Sequence, residues 1–171
     1  MKKVVLTFGV LSGIVVAILM SINTVFAEQI GFDRAMVAGY TVIVISMLFV
    51  YFGVRSYRDD VLGGQITFGQ GIAAGLLITL VACAFYVGSW LVLYYTFMPD
   101  FGDKYAAYLV ESVRAKGASQ AEVENAIKQG NDAKAMLQNP FINAAVTFTE
   151  PFPVGLLMTV ISAAVLKKKA A

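Results

Sequence analysis

The residue best placed to do chemistry is Glu150, which is the one ionisable residue in the apolar run Phe141–Leu166. It is followed closely by Pro151 and Pro153, which lack a backbone N–H and therefore kink or break a helix. A charge at membrane depth costs about 3 kcal/mol or more and often marks a proton or ligand site. Broken helices also build the ion sites of some transporters. Glu150, Pro151 and Pro153 are therefore candidate functional residues.

A structural interpretation of Glu150 stays open beside the functional one. The 16 residues from Pro151 to Leu166 form a helix of about 24 Å, against a hydrocarbon layer of about 30 Å. If Leu166 marks the inner edge, Glu150 lies about 6 Å inside the outer edge. There the carboxylate could reach interfacial water, or cap the half-helix that begins at Pro151. No Lys or Arg occurs in the other apolar runs to pair with it.

Arg55 and Arg58 form the second candidate site. They begin a Gly-rich segment, 55–69, whose backbone could cradle a phosphate while the two arginines face anionic headgroups. The simpler alternative is anchoring of a helix end by basic residues. No Walker motif is present, because the Lys-Ser/Thr pair is missing. Asp59 and Asp60 are adjacent in a charged turn and are expected to be solvated, without a metal.

The composition excludes several classes of site. The chain of 171 residues has no histidine and one cysteine, so neither an intramolecular disulfide nor a Cys-rich metal site can form. A net charge of +2 does not favour a nucleic-acid partner. We expect no cofactor, no metal and no enzymatic activity, because Glu150 has no nucleophile, base or metal ligand beside it.

Four apolar runs must position these residues. They predict transmembrane helices at about 4–26, 35–54, 69–97 and 141–166, each long enough to cross a bilayer. We expect a loop at 27–34 and a break at Gly63 and Gly64. The first run could be mistaken for a signal peptide, but its 24 residues exceed the usual apolar core of about 7–15. The fold class is therefore an all-α membrane protein, a single domain over residues 1–171.

Residues 99–140 differ from the rest by their high charge. We expect an extracytoplasmic helical hairpin between transmembrane helices three and four. Gly117 should end its first helix, and Ser119 with Glu122 forms a capping box that should begin the second. Gly130-Asn131 could break that second helix.

Small residues recur at helical spacing in the apolar runs. Helices associate in lipid through such residues, so they favour a compact bundle, although one stripe could instead face another protomer. The stripes are Gly9/Gly13/Ala17/Ser21, Gly71/Gly75/Thr79/Cys83 and Gly155/Thr159/Ala163.

The basic residues predict an orientation. Arg34 stands alone in the short loop that faces the opposite side. Basic residues near helix ends favour the cytoplasm, so both termini should be cytoplasmic, in a bacterial inner membrane, with residues 99–140 outside. The residues of this basic side are Lys2, Lys3, Arg55, Arg58 and Lys167–Lys169.

Four local motifs resemble those of a known family. The chain is similar to bacterial membrane proteins of domain-of-unknown-function family 4199, over about Val4–Lys168. The resemblance implies four transmembrane helices with an extracytoplasmic helical insert, and it implies no activity. One departure from the family pattern is Gln70-Gly71. The motifs are Arg55-Ser-Tyr-Arg-Asp59, Leu62-Gly63-Gly64-x-Ile66-x-Phe68-Gly69, Phe97-Met-Pro-Asp-Phe101 and Glu150-Pro-Phe-Pro-Val-Gly-Leu156.

Two functions are compatible with these features. The favoured one is a structural or accessory membrane component that binds itself or another envelope protein, with the lipid bilayer as its surroundings. The alternative is a small transporter or channel subunit with Glu150 as a protonatable site. Because a single four-helix bundle encloses little room for a pathway, the alternative requires a homo-oligomer.

Overall fold

The computed structural model describes residues 1–168, which fold into helices joined by short connections. Four stretches are long and apolar enough to cross a membrane: Lys2–Ala27, Phe32–Val61, Phe68–Phe97 and Pro140–Leu166. An all-α fold with four helices able to span a membrane is therefore confirmed. The helices are α1 Lys2–Ile30, α2 Phe32–Ser56, α3 Phe68–Val92, α4 Phe101–Ala115, α5 Gln120–Gln138, α6 Pro140–Phe148 and α7 Pro151–Leu166, with π-helical turns at Tyr57–Val61 and Leu93–Phe97.

The chain divides into two compact units. The bundle unit holds Met1–Ser89 and the segment that begins at Thr147, and the insert unit holds Trp90–Val146. The divisions fall inside α3 and α6, so each unit contains part of both helices. The contacts of each unit follow separately.

In the bundle unit, two of the predicted small-residue stripes pack against each other. A Cβ atom built on Gly71 would lie 2.9 Å from the Cβ of Ala163, and one on Gly75 would lie 2.9 Å from Cγ2 of Thr159. The residues pair in opposite order along the chain, so α3 and α7 are antiparallel. Close backbone approach through small residues is how helices associate in lipid, and these stripes supply it here.

The first helix uses its own stripe against α3. A Cβ on Gly9 would lie 2.7 Å from the Cβ of Val81, and one on Gly13 would lie 2.4 Å from Cγ of Phe85. The second helix joins through Ser46, whose backbone oxygen accepts a 2.7 Å hydrogen bond from the buried hydroxyl of Ser12. The small residues thus explain packing inside one copy of the chain.

One end of the bundle is closed by a short backbone bridge. The Ile66 N–H donates to the Lys168 oxygen at 3.1 Å, and the Lys168 N–H donates to the Ile66 oxygen at 3.0 Å. The start of α3 and the end of α7 therefore meet. The basic residues predicted to share one side lie at this end, apart from Lys169, which is outside the described residues: Lys2, Lys3, Arg55, Arg58, Lys167 and Lys168.

The predicted loop at 27–34 is wrong. The first helix runs on to Ile30 and the second begins at Phe32, which leaves Gly31 as the connection. Gly31 has φ 85° and ψ 141°, a conformation that side chains other than hydrogen rarely allow. The Asn23 amide also donates to the Ala35 oxygen at 2.9 Å, which holds the two helices together near the turn.

The charged turn predicted after Val54 is instead a helical continuation. A π-helical turn carries the chain from Tyr57 to Val61 before the helix ends. Gly63 and Gly64 follow with φ of 67° and 89°, so the break predicted there is present. The Gly64 N–H donates to the Arg58 oxygen at 2.8 Å and closes the turn.

In the insert unit, α4 and α5 run antiparallel. The predicted end of α4 before Gly117 and the capping box are both confirmed: the Ser119 N–H donates to the Glu122 carboxylate at 2.7 Å, and the Ser119 hydroxyl accepts from the Glu122 N–H. These bonds, from the Ser119 backbone first and its hydroxyl second, lower the pKa of Glu122 below its usual value.

The predicted break at Gly130 is wrong. The α5 helix continues through it to Gln138, because Gly130 is where α4 crosses. A Cβ on Gly130 would lie 2.9 Å from the Cβ of Ala106, so glycine serves packing at this position.

Candidate functional site

The break that separates α6 from α7 lies at Thr149 and Glu150. The Glu150 N–H donates to the Thr147 oxygen at 3.3 Å, which is a tighter turn than an α-helix makes. Pro151 and Pro153 then supply no N–H, so the helical ladder cannot continue across them. The helix break predicted from the two prolines is therefore present.

The Glu150 side chain meets a residue that the sequence did not single out. The Tyr86 hydroxyl donates a 2.6 Å hydrogen bond to Oε2 of Glu150. Tyr86 is 8% exposed, whereas Glu150 reaches the surface of the bundle unit. The pair therefore has a buried phenol on the inside and a carboxylate that is accessible from outside.

The α3–α7 contact explains why the two side chains meet. Tyr86 comes seven residues after Thr79 and so lies on the same face of α3, and Thr79 packs directly against Gly155. The Thr79 hydroxyl donates to the Gly155 oxygen at 3.2 Å and lies 3.2 Å from the Thr159 hydroxyl. This polar, close contact fixes the register of α7, and Glu150 at its beginning falls beside Tyr86.

The capping interpretation of Glu150 can be compared with the observed start of α7. Glu150 occupies the N-cap position, but its side chain makes no cap hydrogen bond. An N-cap side chain accepts from the second or third backbone N–H of the helix, and the third residue here is Pro153, which has none. The carboxylate bonds to Tyr86 instead, and only the favourable charge–dipole contact with the helix N-terminus remains.

The lengths of α3 and α7 give the distance of the Tyr86–Glu150 pair from the bridged end of the bundle unit. Ile66 and Lys168 are bridged, so Phe68 and Leu166 lie at the same end of the bundle. Tyr86 is about 27 Å along α3 from Phe68, and Glu150 is about 24 Å along α7 from Leu166. In a hydrocarbon layer of about 30 Å, the pair would lie within a few ångströms of the opposite edge.

The chemistry available to this pair is that of one carboxyl and one phenol. Within residues 1–168, no group of three or more His, Cys, Asp or Glu side chains could hold a metal ion. A carboxyl that accepts from Tyr86 can take up and release a proton, and the hydrogen bond to the phenol can persist in both states. The pair is therefore suited to binding a proton.

In the second candidate site, the charges of Arg55 and Arg58 are balanced by neighbouring aspartates. Arg58 donates to both oxygens of Asp59, at 2.6 and 3.1 Å, and Arg55 lies 3.5 Å from the same carboxylate. Ser56 donates to Asp60 at 2.7 Å. Asp59 is therefore paired with both arginines, of which Arg58 is half-buried, and Asp60 is paired with Ser56.

Several backbone N–H groups of the glycine-rich segment that follows are already bonded within the chain. The Gly64 N–H is already bonded to the Arg58 oxygen. The start of α3 is capped by Thr67 and Gln70: the Thr67 N–H donates to the Gln70 side chain at 3.0 Å, and the Gln70 N–H donates to the Thr67 hydroxyl at 3.3 Å. Gln70 thus completes a capping box of the Thr-x-x-Gln type.

Sequence reasoning missed Tyr86 and Asn143. Tyr86 could have been found from its spacing, since it extends the Gly75/Thr79 face of α3 by two turns. In the insert unit, the buried side chain of Asn143 accepts from Trp90 Nε1 at 2.9 Å and donates to the Leu137 oxygen at 3.1 Å. No periodic pattern singled out Asn143, because its two partners lie in other helices.

Comparison with known proteins bears on the identity of the chain. A family model described as a protein of unknown function, DUF4199, matches residues 7–168. Comparison with curated proteins and with solved structures finds no match. The family match covers nearly the whole chain, and the resemblance inferred from the four motifs is confirmed. The chain therefore belongs to the DUF4199 family.

Proposed function

We propose that the chain is a four-pass protein of a bacterial inner membrane that acts as a structural or accessory component by binding another envelope protein or a second copy of itself. The orientation follows from the basic residues gathered at one end of the bundle unit, which favours cytoplasmic termini and residues 99–140 outside. The proposal assigns no catalytic step to the chain.

A groove between α4 and α5 of the insert unit carries this proposal. Its volume is about 640 Å³. Ile127 in the groove is 43% exposed, so its apolar side chain is accessible to a partner. An apolar floor with a charged rim suits an amphipathic helix of a partner protein. The lining residues are Ala106, Ala107, Val110 and Ile127, with Glu111, Arg114 and Asn131.

Site-specific crosslinking in cells tests this role. A photoreactive residue at Ile127 should capture one defined partner, or a second copy, and the same residue at exposed Asn125 on another face of α5 should not. The change Ile127→Glu should abolish capture from a photoreactive residue at Val110. Capture that is equal at positions 125 and 127, or unaffected by Ile127→Glu, would contradict the groove as a binding surface.

The Tyr86–Glu150 bond favours a second candidate function. A carboxyl near a membrane edge, bonded to a buried phenol beside a broken helix, resembles the proton sites of transporters. In this alternative, several copies would surround a pathway and Glu150 would carry the proton.

Reconstituted vesicles distinguish the two functions. If Glu150 carries protons, Glu150→Gln should abolish a pH-dependent flux, Tyr86→Phe should reduce it, and Glu111→Gln in the insert unit should leave it unchanged. If Glu150→Gln only lowers the melting temperature in detergent, the pair is structural and the transporter alternative fails.

A further inference from the structure

In the bundle unit, the α2 helix packs against α7 and runs in the same direction. A Cβ built on Gly155 would lie 3.1 Å from Sδ of Met47. Further along both helices, a Cβ built on Gly71 of α3 would lie 2.9 Å from the Cβ of Ala163 and 3.7 Å from Cγ1 of Val54. Positions 47 and 155 are therefore neighbours, and positions 54 and 163 follow them in the same order.

This packing places Tyr40 of α2 at the level of the Tyr86–Glu150 pair. Tyr40 precedes Met47 by two turns and lies on the same face of α2. Glu150 precedes Gly155 on α7, so it lies on the same side of the Met47–Gly155 contact as Tyr40 does. The hydroxyls of Tyr40 and Tyr86 are close enough to interact electrostatically. Three helices therefore bring two phenols and one carboxylate to one level of the bundle unit, as a Tyr40/Tyr86/Glu150 cluster.

One side of this cluster is accessible from outside the protein. Tyr40 is 52% exposed and Glu150 is also exposed, whereas Tyr86 is buried behind them. Oε2 of Glu150 accepts from the Tyr86 hydroxyl, and among residues 1–168 the carboxylate makes no other hydrogen bond and no ion pair. Its second oxygen, Oε1, is therefore available to a donor that comes from outside the chain.

The depth of the cluster determines which donors surround it. When Phe68 and Leu166 mark one edge of the hydrocarbon, the cluster is about 24–27 Å away from them, a few ångströms from the opposite edge. Lipid headgroups surround a spanning segment at that level. A carboxylate there is costly unless a cation pairs with it, and Arg34 at the same end of α2 does not pair with Glu150. The cation that the bilayer itself supplies is a headgroup ammonium.

Among the parts of a headgroup, a primary ammonium matches the chemistry of the cluster. It carries a positive charge and three N–H donors, and a charge-assisted hydrogen bond to a carboxylate is among the strong ones. The Tyr40 oxygen is a second acceptor, and its ring attracts a cation. A phosphate would meet a like charge at Glu150, and a trimethylammonium has no N–H to donate.

We infer that the Tyr40/Tyr86/Glu150 cluster binds the primary ammonium of a lipid headgroup of the phosphatidylethanolamine type. Glu150 pairs with the ammonium, Tyr40 lies beside it, and Tyr86 is a positioning residue that holds the carboxylate from the inside. This inference goes beyond the accessory role of the insert unit and requires only that the bundle unit spans a membrane. It gives the helix break at Glu150 a lipid ligand in place of a transported proton.

Melting in detergent with added lipid tests the inference. A ligand that binds only the folded state raises the melting temperature as its concentration rises. Phosphatidylethanolamine should raise it more than phosphatidylcholine, and phosphatidylglycerol should raise it least. In Glu150→Gln, about tenfold more phosphatidylethanolamine should be needed for the same rise, because a hydrogen bond to a charged group contributes about that factor in affinity. Each variant is compared with its own melting temperature without lipid.

Two further variants complete the test. Tyr86→Phe keeps the carboxylate but removes the bond that holds it, so the response to phosphatidylethanolamine should weaken in the same direction. This variant also serves if Glu150→Gln does not fold. Glu111→Gln in the insert unit removes a carboxylate elsewhere and should respond to the three lipids as the unchanged protein does.

Several outcomes would overturn the inference. Equal responses to the three lipids would remove the role of the ammonium. A phosphatidylethanolamine response that survives both Glu150→Gln and Tyr86→Phe, or is lost in Glu111→Gln, would place the lipid elsewhere. An equal response to water-soluble ethanolamine at the same concentration would make a free amine the ligand. These results do not depend on crosslinking at Ile127, so a failure here is distinguishable from a failure of the groove.

Discussion

Gly155 is the glycine of the bundle unit with the least room for a side chain, so the effect of adding one methyl group there can be predicted. In Gly155→Ala, the new Cβ would lie 2.3 Å from Cγ2 of Thr79 and 3.1 Å from Sδ of Met47. A separation of 2.3 Å is far inside the van der Waals distance of two carbons, about 3.5–4.0 Å. Methionine can move aside, but the Thr79 methyl is short and lies on a buried helix face. The α3–α7 contact must therefore open, or Thr79 must change rotamer.

The magnitude follows from overpacking and from the hydrogen bonds of Thr79. Overpacked helix contacts cost about 1–3 kcal/mol. A rotamer change would also disturb the bonds from Thr79 to Gly155 and Thr159, each about 0.5–1.5 kcal/mol. Alanine recovers about 1 kcal/mol of helix propensity relative to glycine. We expect Gly155→Ala to lower the free energy of unfolding by about 1–3 kcal/mol.

The assay is reversible unfolding in detergent, followed by circular dichroism. The matched control is Gly88→Ala in α3, where an added Cβ meets nothing within 4 Å and should stabilise the helix slightly. Thr79→Ser removes the colliding methyl and keeps the hydroxyl, so the double variant should regain most of the loss. The reasoning is refuted if Gly155→Ala is as stable as Gly88→Ala, or if Thr79→Ser gives no rescue.

Four further variants test other parts of the fold, by the same unfolding measurement or by hydrogen exchange. Gly31→Ala should destabilise by about 1–3 kcal/mol from backbone strain alone, since nothing surrounds its Cβ; an unchanged midpoint would contradict the observed turn. Gly130→Ala should weaken the α4–α5 contact at Ala106, and hydrogen exchange in both helices should rise together, whereas a rise in α5 alone would show that the contact is unimportant. Ser119→Ala should cost about 1 kcal/mol, since it removes the cap of α5. Because the pKa of Glu122 is lowered in the folded state, its contribution to stability is complete above the unfolded pKa of about 4.3 and is lost as the pH falls through the folded pKa. Glu122→Gln should therefore make the free energy of unfolding depend less on pH in the acid range.

The helices and their packing faces could be predicted from the sequence because both depend on local pattern. Apolar runs, with Glu150 as the one charge in the fourth, set the four spans, and the spacing of Gly71, Gly75 and Thr79 marked the face that meets α7. The capping box at Ser119 is a local motif and was found for the same reason. What the pattern could not supply was the pairing of faces, which depends on the whole fold.

Two of the errors concern segments that contain a glycine. The same residue type marks a turn at Gly31, where φ is positive, and a helix crossing at Gly130, where the helix is unbroken. Composition around Gly31 resembled a loop because Asp33 and Arg34 are charged, yet Asp33 lies in the first turn of α2, where a negative charge is favourable. Sequence alone does not separate a glycine needed for its conformation from one needed for its size.

Only one of the two residues of the candidate site could be predicted from the sequence. Glu150 stands out as a charge in an apolar run, but its partner is an uncharged tyrosine within a long apolar helix, where charge pairing gives no signal. Tyr86 and Glu150 are 64 positions apart in the chain, so their meeting depends on the register of α3 against α7.

The backbone bridge between Ile66 and Lys168 makes the fold sensitive to the loss of Lys168. Ile66 is 2% exposed, and both of its main-chain polar groups are satisfied by Lys168, more than a hundred positions later. Removal of Lys168 and the residues after it would leave the Ile66 amide and carbonyl without these partners, and an unsatisfied buried backbone group is costly. A chain that lacks Lys168 should consequently fold less completely and be degraded faster by quality-control proteases.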